Sequence, residues 1–247
     1  MSRGTDTRSR AVNEVARGTV GRPSPSEPPT PPGRAPSRGR PLLRGKLHEV
    51  AFWMSLVVAP LLVAYAPSGA GRIATGVYAL TLSGMLGVSA LYHRVTWPPA
   101  QRAVLRRLDH AMIFLLIAGT YTPIALVLPP ERGLAVLVVV WVGALAGVGF
   151  QLAWPGAPRA LQAIVYIALG WTAVAVLPDL ARALGGPGLA LIVGGGVLYS
   201  IGAVVYARRR PDPAPAVFGY HEVFHAFVVA AALCHLAAVA ATALPQL

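Results

Sequence analysis

Long apolar stretches recur along this chain, and short polar gaps separate them. From about residue 47 onward, runs of some 20 apolar residues follow one another, the length a helix needs to cross a bilayer. They fall at about 47–66, 73–93, 108–128, 133–153, 160–178, 187–207 and 220–244. The pattern predicts seven transmembrane helices, and the short gaps predict antiparallel neighbours in a bundle. The limits of the fifth and sixth runs are blurred by Gly185-Gly186-Pro187-Gly188 and by Gly194-Gly195-Gly196. Glycines in such runs commonly let helices approach closely.

Residues 1–46 break the pattern. This stretch is rich in Arg, Pro, Gly and Ser and poor in large apolar residues. Such a composition cannot offset the entropy of ordering, so a disordered basic tail is expected, followed by one membrane domain over 47–247. A solvated tail that helps set topology is the simpler role; binding anionic lipid is the sharper one. No apolar h-region follows the charged N-terminus within about 30 residues, so no cleaved signal peptide is expected. The first run would then serve as an uncleaved anchor.

Composition agrees with the pattern. Of 247 residues, 55% are hydrophobic and only 12% charged, against about 25% charged in soluble domains. Mean hydropathy is +0.59. The net charge of +12 raises the question of nucleic acid. Its placement in the tail and in short loops marks topology instead, so no nucleic-acid partner is expected. The tail is basic, as are the loops carrying Arg94, Arg102, Arg106 and Arg107, then Arg159, then Arg208, Arg209 and Arg210. The alternate loops carry Arg72, then Arg132 with Glu131, then Arg182 with Asp179. This bias places the N-terminus and the even loops in the cytosol and, with seven spans, the C-terminus outside. A multi-pass protein of the cell (plasma) membrane is expected. The single cysteine, Cys234, lies in an apolar run and reads as a small core residue.

Candidate chemistry enters at the span ends. His93 closes the second run, Asp109 opens the third, and His221 and His225 open the seventh. The expected topology puts all four at one depth, near the cytosolic interface. Ser89 and His93 are four residues apart on one helix face, as are His221 and His225. Three imidazoles with an open position form a common catalytic zinc set, although imidazole also accepts other divalent metals. Read singly, each residue has a simpler explanation: an interfacial histidine, or an aspartate at a helix N-terminus. Read together at one depth, His93, His221 and His225 point to a metal site. His110 lies about 100° around the helix from Asp109 and falls outside the ligand set. His235 lies roughly 15 Å deeper than His225 and is expected to hydrogen-bond a neighbouring helix. His48 and Glu49 open the first run, where anchoring at the interface is the favoured reading over a supporting role at the metal.

The string Ser89-Ala90-Leu91-Tyr92-His93, then Leu108-Asp109-His110, Gly119-Thr120-Tyr121-Thr122-Pro123, and His221-Glu222-Val223-Phe224-His225 with Cys234-His235, resembles the hemolysin III family. That family belongs with the progestin and adiponectin-receptor proteins and, more distantly, the alkaline ceramidases. Arg44-Gly45-Lys46-Leu47-His48 resembles the start of the first span in bacterial members. The likeness covers about residues 44–244. It implies a seven-helix bundle with a cytosolic N-terminus and zinc near the cytosolic face. It puts the ligands on His93, His221 and His225, an aspartate beside the zinc at Asp109, and a supporting serine at Ser89. Glu222 falls where the family need not be acidic.

Three functions follow as expectations. The first is a zinc-dependent hydrolase of lipid amide or ester bonds, with Asp109 handling the proton of water and Ser89 in support. The second is a receptor or membrane-homeostasis protein whose metal is structural. The third is a pore-forming cytolysin, suggested by the family name alone. A fourth idea comes from His221-Glu222-x-x-His225 itself, the metalloprotease motif with Glu222 as general base. The absence of a later aspartate motif argues against it.

Overall fold

The computed structural model describes residues 41–247. Residues 1–40, most of the expected tail, lie outside the described part. The rest is helical: α1 Lys46–Tyr65, α2 Gly69–Arg94, α3 Pro99–Leu126, α4 Pro130–Ala153, α5 Arg159–Gly170, α6 Leu177–Arg208 and α7 Tyr220–Ala238. A 3₁₀ stretch, Trp171–Val176, joins α5 to α6, and Val239–Ala243 continues α7 as a π-turn. Proline pairs and caps punctuate the starts. Pro98-Pro99 and Pro129-Pro130 open α3 and α4, where a missing N–H costs nothing. Ser68 caps α2 by accepting from the Gly71 N–H at 2.9 Å, satisfying one of the free donors at that end.

Among the described residues, six helical segments are long and apolar enough to cross a membrane. One of them, Arg159–Arg208, runs for 50 residues, more than twice a span. It does not run straight. Gly185 has φ 66° and ψ −179°, which breaks the helix. Trp171 Nε1 donates to Ser200 Oγ at 2.9 Å, and the Arg159 guanidinium sits 5.4 Å from the Tyr206 ring. The segment therefore doubles back on itself, and the expected fifth and sixth runs are its two arms. Tyr121 of α3 secures the junction between α5 and the 3₁₀ stretch. Its hydroxyl donates to Gly170 O at 2.6 Å and accepts from the Ala173 N–H at 2.7 Å, pairing backbone groups that the irregular turn leaves free.

The outward faces are apolar. Val50, Trp53, Met54, Val57 and Leu61 of α1 are exposed, as are Leu134, Val138, Val142 and Leu145 of α4. Their helical spacing makes continuous stripes, the surface of a protein whose solvent is lipid. The most buried spans are α2 and α3, at 56% and 61% of their apolar windows against 17% for α1. They form the inside of the bundle, with Tyr78, Leu82, Phe114 and Val140 in its core. These two central helices carry Ser89, His93 and Asp109.

The two ends of the bundle differ. At one end Leu42 and Leu43 bond through their backbones to Ala216 and Val217 of the α6–α7 loop, and Arg106 reaches Pro155 O of the α4–α5 loop. At the other end Arg132 of α4 and Arg182 pair with the buried Asp179, while Ser68 bonds to Leu247 O. The histidine cluster belongs to the first end.

Candidate metal centre

Three helices deliver the site. The last turn of α2 presents Ser89 and His93 one turn apart, the first turns of α7 present His221 and His225, and α3 presents Asp109. All five are buried. The expected common depth is therefore a common place. His93 Nε2 and His221 Nε2 stand 3.1 Å apart, and Asp109 Oδ2 lies 3.6 Å from His93 Nε2. The His93 and His225 rings are 5.0 Å apart, and those of His221 and His225 4.5 Å. One nitrogen from each of His93, His221 and His225 falls within 4.8 Å of the others.

This donor set fits a metal cation. Two nitrogens bound to tetrahedral zinc at about 2.0–2.1 Å stand about 3.3 Å apart, close to the His93–His221 spacing. His225 Nδ1 is buried and, among the described residues, has no hydrogen-bond partner. A buried polar atom left unpaired costs roughly 1–3 kcal/mol, a penalty that a shared cation at the cluster would help to offset.

His48 overturns the expectation of an interfacial anchor. It is 2% exposed, and its ring stacks on His225 at 3.8 Å between centroids and 3° between planes. Its Nδ1 lies 2.8 Å from Ser89 Oγ. The cause is the turn just before it. Gly45 has φ +76°, and a Cβ there would stand 2.6 Å from His93 Cβ. Only glycine meets both demands, and that close approach brings the first turn of α1 against the cluster. The sequence signal was the Arg44-Gly45-Lys46-Leu47-His48 string, whose turn geometry is invisible to hydropathy. Glu49, by contrast, is at the surface, paired with Lys46 at 3.0 Å and Arg94 at 2.8 Å.

Glu222 is spent elsewhere. Its carboxylate pairs with Arg44 at 2.6 Å and accepts from the Gly219 N–H at 2.9 Å, capping α7. It faces away from the cavity, so a general-base role in a protease motif has no geometry behind it. His110 stays outside the triad and receives the Gln151 amide at 3.1 Å. His235 donates Nε2–H to Ile192 O at 3.1 Å, as expected of a helix-to-helix bond.

A cavity opens beside the cluster. His48, Ser89, Asp109, His221 and His225 line one end and His235 the other. Ten residues of α7 separate His225 from His235, about 15 Å of helix rise. Between them the wall is largely apolar and aromatic, with Ile113, Ile117, Tyr166, Trp171, Tyr199 and Phe224. A largely apolar slot with a carboxylate and several imidazoles at one end is the form of a ligand site. Asp109 is the carboxylate that this wall presents to the interior.

Comparison with known proteins agrees with this picture. The family described as haemolysin-III related matches residues 37–236. The hemolysin-3 homolog of Bacillus subtilis is 34% identical over 142 residues, which is 57% of this chain and 63% of the relative. The chain thus spans less than two thirds of that relative. The hemolysin-3 of Bacillus cereus is 28% identical over 186 residues, covering 74% of this chain and 82% of its own. A shorter match, 53% identical over 47 residues, is to an ADIPOR-like receptor of Saccharomyces cerevisiae and covers 17% of this chain.

Proposed function

Since this chain belongs to the haemolysin-III-related family, we propose that it is a zinc-dependent hydrolase of amide or ester bonds in membrane lipids. One observation carries the reading: three buried imidazoles converge beside a carboxylate at the polar end of a deep apolar cavity. His93, His221 and His225 are the residues to hold the ion. When bound, zinc supplies a Lewis acid that polarises a carbonyl and makes water acidic. Asp109 receives the proton of the attacking water and orients it from the cavity wall. Ser89, which lines the same cavity, supports it by hydrogen bonding. The apolar wall takes the hydrocarbon part of the lipid and keeps bulk water out. The charge bias of the loops supports a site near the cytosolic face of the plasma membrane.

The test is release of fatty acid from a panel of N-acyl and O-acyl lipids by the purified, zinc-loaded protein. Asp109→Ala should lower turnover by about 10²–10⁴-fold while zinc stays bound. Wild-type turnover in that variant would remove Asp109 from the chemistry. Cleavage of no panel member by fully loaded protein would favour a second reading, in which the ion is structural. That reading has its own support, since α2 and α7 pack little against each other directly and the histidines are what join them. Chelation should then lower thermal stability with no reaction lost.

A further inference from the structure

We propose that His48 is a positioning residue of the metal centre, acting through its ring on His225 and through Nδ1 on Ser89; the inference rests on the metal-site reading above. His48 comes from α1, a helix that supplies none of the candidate ligands. Three observations meet at it. Its ring lies flat on that of His225, at 3.8 Å and 3°. Flat contact over the whole ring blocks rotation of His225 about its χ2 and removes one side of its space. Its Nδ1 bonds Ser89 Oγ at 2.8 Å, and Ser89 lines the same cavity as Asp109. Its Nε2 is buried and, among the described residues, has no hydrogen-bond partner.

One side chain thereby orients both a ligand and the serine beside the carboxylate. Groups that orient ligands in this way commonly carry a factor of about 10–100 in metal affinity. The ring contact and the hydrogen bond are separable by substitution. Phenylalanine keeps a flat ring and loses the nitrogens. Glutamine keeps polar atoms and loses the ring.

The experiment measures zinc affinity by chelator competition on full-length protein in detergent, for wild type, His48→Ala, His48→Phe and His48→Gln. Thermal unfolding of each in excess chelator reports the fold without metal. His48→Ala and His48→Gln should bind zinc about 10–100-fold more weakly than wild type, and the metal-free unfolding midpoint of each should fall because the buried bond to Ser89 is lost. His48→Phe should bind at least about 10-fold more tightly than His48→Gln, the ring having rescued His225. Wild-type affinity in His48→Gln, or His48→Phe no tighter than His48→Gln, overturns the inference, and this pair decides the matter if His48→Ala does not fold. A wild-type protein that binds no zinc overturns the metal-site reading itself and His48's role with it.

Discussion

Exchanging Glu222 for Gln separates two chemistries that share one motif. In a metalloprotease of the His-Glu-x-x-His type that glutamate is the general base, and its amide abolishes the reaction. Here the carboxylate is 1% exposed and bound to the Arg44 guanidinium, which is 21% exposed, and to the backbone of Gly219. The variant keeps shape and one acceptor, loses the charge, and leaves Arg44 without its counterion. A fully buried broken pair costs about 3–5 kcal/mol and an exposed one about 0–1. With one partner sealed and the other partly wet, about 2 kcal/mol of stability should go. Thermal unfolding in detergent reads this loss, zinc content reads the site, and fatty-acid release reads the chemistry. The expected pattern is a lower midpoint, full zinc and turnover near wild type. Lost turnover with an unchanged midpoint and full zinc would refute the assignment of Glu222 to the Arg44 pair and the α7 cap.

Two further substitutions test the scaffold. Gly45→Ala forces a left-handed residue, at about 1–2 kcal/mol, and pushes a methyl into His93, so both the unfolding midpoint and zinc affinity should fall together. Tyr121→Phe removes the hydroxyl that serves Gly170 O and Ala173 N; an unpaired buried group costs about 1–3 kcal/mol, visible in thermal unfolding with zinc binding unaltered.

Hydropathy and charge read the helical bundle well, because lipid demands long apolar runs with every backbone group paired within them. They read helix ends poorly. The third run was expected from about 108, yet α3 starts at Pro99; the intervening Gln101, Arg102, Arg106 and Arg107 are exposed and add helix beyond the apolar stretch. The fifth and sixth runs meet in one folded-back segment, whose bend is a single glycine dihedral that no composition reveals. The histidine cluster was legible because histidines four apart share a helix face, and because the expected topology put both helix ends at one depth. His48 was not, since its place depends on the left-handed turn at Gly45 and a close approach between α1 and α2. Glu222 looked chemical in the string and is structural in space, because its partner Arg44 lies far off along the chain.

The central claim is that His93, His221 and His225 hold one metal ion. Metal content by mass spectrometry tests it most directly, on chelator-free, detergent-purified wild type beside a His93→Ala, His221→Ala, His225→Ala triple variant. About one zinc per chain is expected in the wild type, as three imidazoles suffice for one ion, and none in the variant. Metal absent from both, or equal in both, would contradict it.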